Sequence, residues 1–557
     1  MTTRALMLFV LLMSAGLSLL VMGPALLAGE APGGGPDVVS TLWGMWWFQQ
    51  ALFEGGLSGE TTLVNFPVGA TGSVLSPTSA LFFALTEPLV GVPWASAIAS
   101  LAQVCPLAMS VAWLTLRLGG SPAAAIASTL ALFAGRPLLY DLGEGSVVAI
   151  AAFYVPLGLA AMLVRMREGV SGAFWLAWCM GFTAIENPYL APVLPAVGAL
   201  RALLLLRRGE QVELRRLIFG LAGGTLLTVA VAVLFAKSAS PDYPGEIAGQ
   251  YARLGPFQVP LVEMPWARTS FHELVTPTDV RWTLDVDDAR GVNGGRYLGL
   301  SVILLALAGL VTRARASAFW ASLAVFCALI AMGSVIHGVA GPFLLLNTLM
   351  DAVARPLTQP RRFLILTQIG LGICAGFGVD GLRELAGRHG RALAGGLLSL
   401  IGLDALLLGG SALRMPGTEI PSAPCLKSLP GTMEDGVLVW PWDAFDGDAG
   451  HSQLMQLAHE RPSPQRGIAS WALNGDPVQP KLRGLGWRRP GPGQPPMVDW
   501  TGLRELGFRW VLVDEQADPD GAAGLASLMG APVQACGGLV AYALPAGAQG
   551  VHPAFRR

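Results

Sequence analysis

Residues 6–28, LMLFVLLMSAGLSLLVMGPALLA, carry no charged side chain. About 23 apolar residues in succession exceed the roughly 20 that a helix needs to cross the hydrocarbon of a bilayer. Arg4 precedes the run. A secretory signal has a hydrophobic region of about 7–15 residues, so the length favours an uncleaved anchor, although ALLAGEA at 25–31 offers small residues for a cleavage site. Similar runs recur along most of the chain. Of its 557 residues 53% are hydrophobic and only 13% charged, and the mean hydropathy is +0.55. So few charges over such a length exclude a soluble globular protein. A polytopic helical membrane protein is expected. The net charge of −1 says nothing about partners; the distribution of the charges does.

Arg117, then Arg165 and Arg167, then Arg207, Arg208, Arg215 and Arg216, then Arg313 and Arg315, then Arg383, Arg388 and Arg391 each end one apolar run or begin the next. Placing all of them in the cytoplasm satisfies the positive-inside rule. The spans that result lie at about 6–28, 94–116, 121–138, 146–164, 171–186, 189–206, 217–236, 297–312, 317–335, 363–382 and 392–412. That is about eleven transmembrane helices, with the N terminus cytoplasmic and the C terminus outside. The run 76–91 is short and bounded by prolines, and reads as a half-helix at the outer surface.

The fold class expected is therefore an all-α polytopic membrane domain over about 1–412, with outer loops at about 29–93 and 237–296, followed by a small extracytoplasmic α/β domain over 413–557. In the tail, GVLVWPW reads as a strand and HSQLMQLAHE as a helix. DWTGLRELGFRWVLVDE reads as a helix followed by a strand, and GGLVAYAL as a last strand. Cys105, Cys179, Cys327 and Cys374 lie in apolar runs, where a thiol behaves as a small hydrophobe. Cys425 and Cys536 fall near the two ends of the tail. In an oxidising compartment they are expected to pair as a disulfide; two separate buried thiols are the other reading.

Several charged residues converge on the outer side in this topology. Asp37 follows the first span, with Trp43, Trp46 and Trp47 behind it in a segment that suits the lipid headgroup zone. Asp141 and Glu144 lie in the turn RPLLYDLGEGS, and Glu186 in AIENPYLAP. There Asn187 is expected to cap, and Pro188 to begin, the next helix, leaving Glu186 at the mouth of the bundle. A carboxylate near the bilayer centre costs about 2.5–3.5 kcal/mol on insertion scales, so acids gather where water reaches; ordinary loop carboxylates fit that rule as well as functional ones. Arg355, Arg361 and Arg362 in DAVARPLTQPRRFLILTQ oppose the positive-inside bias that the other basic clusters obey. An anion-binding role explains the exception, since guanidinium forks match phosphate oxygens; arginines snorkelling to anionic lipid explain it equally. Arg136 and Lys237 add to the same outer field.

An outer carboxylate, outer arginines and a hydrophobic wall suit an amphipathic lipid phosphate carrying a group to be transferred. The arginines would hold the phosphate and the carboxylate would accept the proton of an incoming hydroxyl. The second outer loop also holds DVDD (Asp285, Asp287, Asp288) and His272 with Glu273. The DxDD spacing suits oxygen ligation of a divalent cation, though it lacks the glycine and distal glutamate of a calcium loop. HExxH, GxSxG, P-loop and paired CxxC motifs are absent from the sequence, and basic residues are not interleaved with aromatics on a soluble face, so no nucleic-acid partner is expected. An ion-coupled transporter would need ionisable residues inside the spans, where Asp404 alone is placed and Asp380 lies near a cytoplasmic end.

The order of these features resembles the GT-C-fold membrane glycosyltransferases, in particular bacterial relatives with a YfhO-like layout. The stretches that carry the resemblance are PDVVSTLWGMWWFQQALFEG, NFPVGATGSVLSPTSALFFALTEPLVG, YDLGEGSVVAIAAFYVPLGLAAM, GGRYLGLSVILLAL and PLTQPRRFLILTQIGLGICAGFGVDGL, with VLVWPWD and LRELGFRWVLVDE in the tail. The resemblance implies transfer of a sugar from a polyprenyl-phosphate donor to a glycan, lipid or protein acceptor at the outer face of a bacterial plasma membrane. It assigns the general base, and that role maps onto Asp37 alone. With the residue reading above, Arg361 or Arg362 is expected near the phosphate, and Glu144 and Glu186 are expected to help orient the acceptor or a metal. Many relatives have an acidic pair where Asp37 stands single, and Gly-His where this chain has Gly143-Glu144. The second function these residues allow is a non-catalytic relative that binds, presents or moves a lipid-linked glycan.

Overall fold

The structure is a computed structural model. It describes all residues except 1, 35, 55–59, 62, 64–69, 72–75, 144, 239–250, 255–256, 261–268, 270–273, 276–295, 337–338, 347–358, 408–414, 422, 433, 441–449, 464–478, 486, 488–496, 546–549 and 552–557. Helices occupy every segment expected to cross the membrane: Thr3–Ala28, Pro77–Arg117, Pro122–Ala134 with Arg136–Gly143, Val147–Glu168, Ser171–Glu186, Val193–Arg208, Gln211–Ser238, Leu300–Thr312, Ala314–Ala331, Leu364–Leu385 and Gly390–Leu407. Taken singly, five among the described residues are long and apolar enough to cross a bilayer, or six if the bent pair at 122–143 is one span. The expected count of eleven is not reached by that measure. The chain is a multi-pass helical membrane protein.

Two compact units are present. The first comprises Met1–Gly35, Leu75–Leu234 and Gly245–Thr418; the second comprises Pro36–Val74, Phe235–Pro244 and Glu419–Arg557. The boundary of the tail thus lies a few residues beyond the expected 413, because Gly417 and Thr418 pair antiparallel with Pro32 and Ala31 of the first unit. The second unit also takes in Pro36–Val74, expected to be part of an outer loop; within it Pro36–Glu54 is a 19-residue helix.

The helix Leu364–Leu385, with the turn before it, is the axis of the first unit: 94% of its apolar window is buried, against 33% for Thr3–Ala28. Small residues let its neighbours approach at backbone distance, as membrane helix pairs require. A Cβ on Gly378 would lie 2.0 Å from the carbonyl oxygen of Leu305, and one on Gly309 would lie 2.2 Å from that of Cys374. Gln368 on the same helix enters the bend between Pro122–Ala134 and Arg136–Gly143, which meet at 50°. Its amide donates to the carbonyl of Ala131, which a continuous helix would have bonded to the Gly135 N–H, and to Leu298 O at 3.2 Å. The bend carries Asp141 into a helix rather than the tight turn expected of it.

Three helices of this unit begin on a carboxylate supplied by another helix. Thr78 N–H donates to Glu186 at 2.8 Å, Ser121 N–H to Asp380 at 2.8 Å, and Ser301 N–H to Asp404 at 2.7 Å. The first turn of a helix has N–H groups without intrahelical partners and a positive dipole end, and both favour an anion there. Asp404 also accepts from Ser301 Oγ at 2.5 Å and Tyr297 OH at 2.9 Å. The expected break at Asn187 takes another form. Asn187 closes the helix that ends at Glu186, and the next helix starts at Val193. Glu186 is consequently buried at 0% exposure instead of standing at the mouth of the bundle.

The stretch 76–91 is helical, as expected, and joined to the following span with a break at Gly91, whose φ of 77° and ψ of 167° interrupt the helix. In the second unit a four-stranded sheet has the order Gln534–Cys536, Leu539–Ala543, Phe508–Asp514, Gly436–Trp440, with only the last pair parallel. Its central strand is buried on both faces. Val511 and Val513 join Leu438, Trp487 and Trp500 on one side, while Trp510 and Leu512 join Val437, Val439 and Met455 on the other. Cys425 and Cys536 form a disulfide across a separation of 111 residues. The other four cysteines are free and buried.

Candidate functional site

Arg361 and Arg362 sit in the single 3-10 turn Pro360–Phe363 that opens the axial helix. Both are buried, at 8% and 5% exposure. By contrast, Arg117, Arg167 and Arg208 at other helix ends leave 38%, 61% and 58% of their side chains in contact with solvent or lipid. Snorkelling therefore does not account for this pair. The Arg361 guanidinium lies over the Tyr140 ring, 4.5 Å from its centroid, and 3.9 Å from the buried carboxylate of Asp141. Arg362 lies over the Tyr189 ring at 4.6 Å, and its Nε donates to Gln359 Oε1 at 2.8 Å. Each guanidinium thus lies over a tyrosine ring, and a guanidinium holds its N–H donors in its own plane, where oxygen acceptors bind.

Cations at a helix N terminus oppose the macrodipole, by about 0.3–1 kcal/mol each. Two adjacent arginines are buried at that end, with the Asp141 carboxylate 3.9 Å from Arg361; helix N termini and guanidinium forks are both groups that favour anions. Arg136 opens the helix that carries Asp141, and its N–H donates to Tyr297 O at 2.7 Å, which ties the turn before Leu300–Thr312 to the same end of the bundle. Tyr140, Tyr189 and Gln359 were not singled out from the sequence. Tyr140 precedes Asp141 directly, and Gln359 lies two and three residues before the arginine pair.

Glu186 does not join this cluster in any contact the structure shows. Its Oε2 accepts from Ser76 Oγ at 2.6 Å and from Gln103 Nε2 at 3.0 Å, and its Oε1 from Thr78 N–H. Gln103 Nε2 also reaches Ser76 Oγ at 2.9 Å and Ser79 Oγ at 3.1 Å. Gln103, Ser76 and Ser79 were not singled out from the sequence.

Asp37 is the second residue of the helix Pro36–Glu54, in the second unit; its side chain lies outside the described residues. The chain leaves the first unit three residues earlier, where Gly34 N–H donates to Gly143 O at 3.1 Å. Trp43 is not a headgroup residue. It is buried with Trp46 and Trp47, and its indole N–H donates to Gln456 Oε1 at 2.7 Å within the second unit. Glu144, Arg355, His272, Glu273 and the DVDD carboxylates lie outside the described residues, as does the side chain of Lys237. Among the described residues no group of three or more His, Cys, Asp or Glu could hold a metal ion.

No family model and no curated protein matches the chain. Among solved structures it is similar to ArnT from Cupriavidus metallidurans bound to undecaprenyl phosphate, at 14% identity and a TM-score of 0.48, over 98% of this chain and 97% of that one. The apo state of the same protein gives 13% and 0.47, over 93% and 94%. The archaeal oligosaccharyltransferase AglB from Archaeoglobus fulgidus, in complex with an inhibitory peptide and a dolichol-phosphate, gives 12% and 0.47, over 93% and 71%. Likeness at these scores carries no argument about this chain.

Proposed function

We propose that the protein is a membrane glycosyltransferase that moves a sugar from a polyprenyl-phosphate donor to a hydroxyl acceptor at the extracytoplasmic face of a bacterial plasma membrane. The observation that carries this reading is the buried arginine pair, each guanidinium stacked on a tyrosine at the N-terminal end of the axial helix. In the reaction the acceptor oxygen attacks the anomeric carbon while Asp37 takes its proton, and the bond from that carbon to the phosphate oxygen breaks. The electron pair leaves on the polyprenyl phosphate, whose charge Arg361 and Arg362 stabilise. One displacement suffices, with no covalent enzyme intermediate. The assignment of Asp37 rests on the sequence resemblance.

The test uses the full chain in lipid nanodiscs with a polyprenyl phosphate as probe. Hydrogen bonds to a charged group contribute about 1.5–3 kcal/mol, so R361A and R362A should each weaken probe binding by roughly 10- to 100-fold. D37N should bind the probe as the wild type does and lose transfer. Wild-type protein that binds the probe, turns over no donor and is unaffected by D37N would instead identify a carrier or presenter of a lipid-linked glycan. Binding that survives R361A/R362A would remove the phosphate role altogether.

A further inference from the structure

Trp113 lies one turn before the end of the helix Pro77–Arg117, and two guanidiniums meet its ring: Arg117 at 5.7 Å from the centroid and Arg165 at 5.6 Å. Two cations held on one indole repel each other unless anions match them. Arg117 is matched, by Glu168 at 2.8 Å. Arg165 is not. Among the described residues its side chain donates no hydrogen bond and forms no ion pair, and its Nε is enclosed without an acceptor. A second indole, that of Trp175, meets the same guanidinium at 5.4 Å.

The backbone is shaped around this side chain. Arg165 ends the π-helical turn Ala161–Arg165, in which Met166 N–H reaches back five residues to Ala161 O. Such turns are rare and recur at functional sites. Gly172 lets the helix Ser171–Glu186 start against that turn: a Cβ there would lie 2.7 Å from the carbonyl carbon of Arg165 and from the Met166 nitrogen. Trp175 is thereby brought from the beginning of this helix to Arg165. Arg216 adds a further cation, its Nη1 donating to Met166 O at 3.0 Å.

The cluster sits at the far end of the axial helix from Arg361 and Arg362. Ser121, just beyond Arg117, donates its N–H to Asp380, and Arg313 pairs with Glu384 on the same last turns. From Arg362 to Asp380 the helix rises roughly 27 Å, close to the thickness of the hydrocarbon. This arginine-rich end is the one the positive-inside rule assigns to the cytoplasm. Beside Arg165, the helix Ser171–Glu186 turns Phe174, Trp175 and Trp178 outward, all three exposed. In a bilayer such side chains meet acyl chains, so an anion bound at Arg165 has hydrocarbon directly below it.

We propose that Arg165, Trp113 and Trp175 form a binding site for the phosphodiester headgroup of an anionic phospholipid in the inner leaflet, with its acyl chains lying along Trp175 and Trp178. The planar guanidinium, held against the indoles, offers its donors to phosphate oxygens, and basic pockets between spans on this side of a membrane take such headgroups. The site is separate from the one proposed for the sugar donor, and it stands whether or not the protein transfers a sugar.

Native mass spectrometry tests it on the full chain released from nanodiscs of phosphatidylglycerol and phosphatidylcholine in equal parts, by counting the lipids retained. The wild type should retain phosphatidylglycerol at least tenfold over phosphatidylcholine, and R165A should lose most of that preference. R165K keeps the charge without the planar fork and should fall between the two. R208A removes an exposed arginine at another helix end and should keep the wild-type ratio. Equal ratios in the wild type and R165A would overturn the proposal, and so would a loss in R208A as large as in R165A, which would mean diffuse charge. Displacement of the lipid by inorganic phosphate would overturn it too, in favour of a soluble anion. If R165A does not fold, W175A carries the test: its ratio should fall severalfold, and an unchanged ratio would defeat the site.

Discussion

At the scale of single residues, environment separates arginines and acids that look alike in the sequence. Arg361 and Arg362 differ from Arg117, Arg167 and Arg208 in being buried, each with its guanidinium over a tyrosine ring. R361K keeps the charge and loses the planar fork and the stacking on Tyr140; it is expected to bind a polyprenyl phosphate about tenfold more weakly, measured by displacement of a fluorescent lipid phosphate. In the second unit His459 is wholly buried and Arg461 lies beside it, so its pKa falls from 6.5 to about 3. Its Nδ1 accepts the Arg461 N–H at 3.0 Å, a bond that requires the unprotonated nitrogen. The folded state therefore resists a proton that the unfolded state accepts at the ordinary pKa. This contribution to stability is complete above pH 6.5 and is lost as the pH falls toward 3, at about 1.4 kcal/mol per pH unit. Thermal midpoints between pH 7 and pH 4 should decline, and H459Q should flatten that slope; an equal slope in both proteins would show that other groups carry it.

At the scale of elements, three buried acids are explained as caps. Asp380, Asp404 and Glu186 each meet the first turn of a helix that is not their own, which is why an apolar bundle keeps them. D404N would lose charge at the start of Leu300–Thr312 and leave one of the donors from Tyr297, Ser301 N–H or Ser301 Oγ poorly matched. A loss of about 1–3 kcal/mol is expected, read as a lower unfolding midpoint in detergent. Close approach across the axial helix is equally specific. G378A places a methyl group against the Leu305 carbonyl, and overpacking of this kind costs about 1–3 kcal/mol. G395A makes the control: no atom lies within 4 Å of a Cβ there, so its melting temperature should match the wild type.

At the scale of the whole molecule, the Cys425–Cys536 bond ties a short helical turn to the edge strand of the second unit's sheet. Loss of a disulfide closing so long a loop costs about 2–5 kcal/mol. C425S/C536S should unfold the second unit at lower temperature while leaving the first, and mild reductant should reproduce the effect. Much of this organisation was legible beforehand. The apolar runs placed the helices, the composition change after about residue 412 announced a separate tail, and short runs rich in valine and aromatic residues marked the strands at 436–440, 508–514 and 539–543. What was not legible depends on distances between segments far apart in the chain. The bend at Gly135, filled by Gln368, turned an expected loop at Asp141 into a helix. Asn187 closes one helix instead of starting the next, which begins only at Val193. The tryptophans after Asp37 read as a headgroup belt because hydrophobicity does not reveal which apolar surface a side chain will meet. By itself the sequence determined that the protein crosses a membrane repeatedly and where its helices run, since bilayer thickness and backbone hydrogen bonding act locally along the chain. Only the tertiary structure decided which charges pair, which cap a helix and which are buried, because those roles are set by what other segments bring within hydrogen-bonding distance.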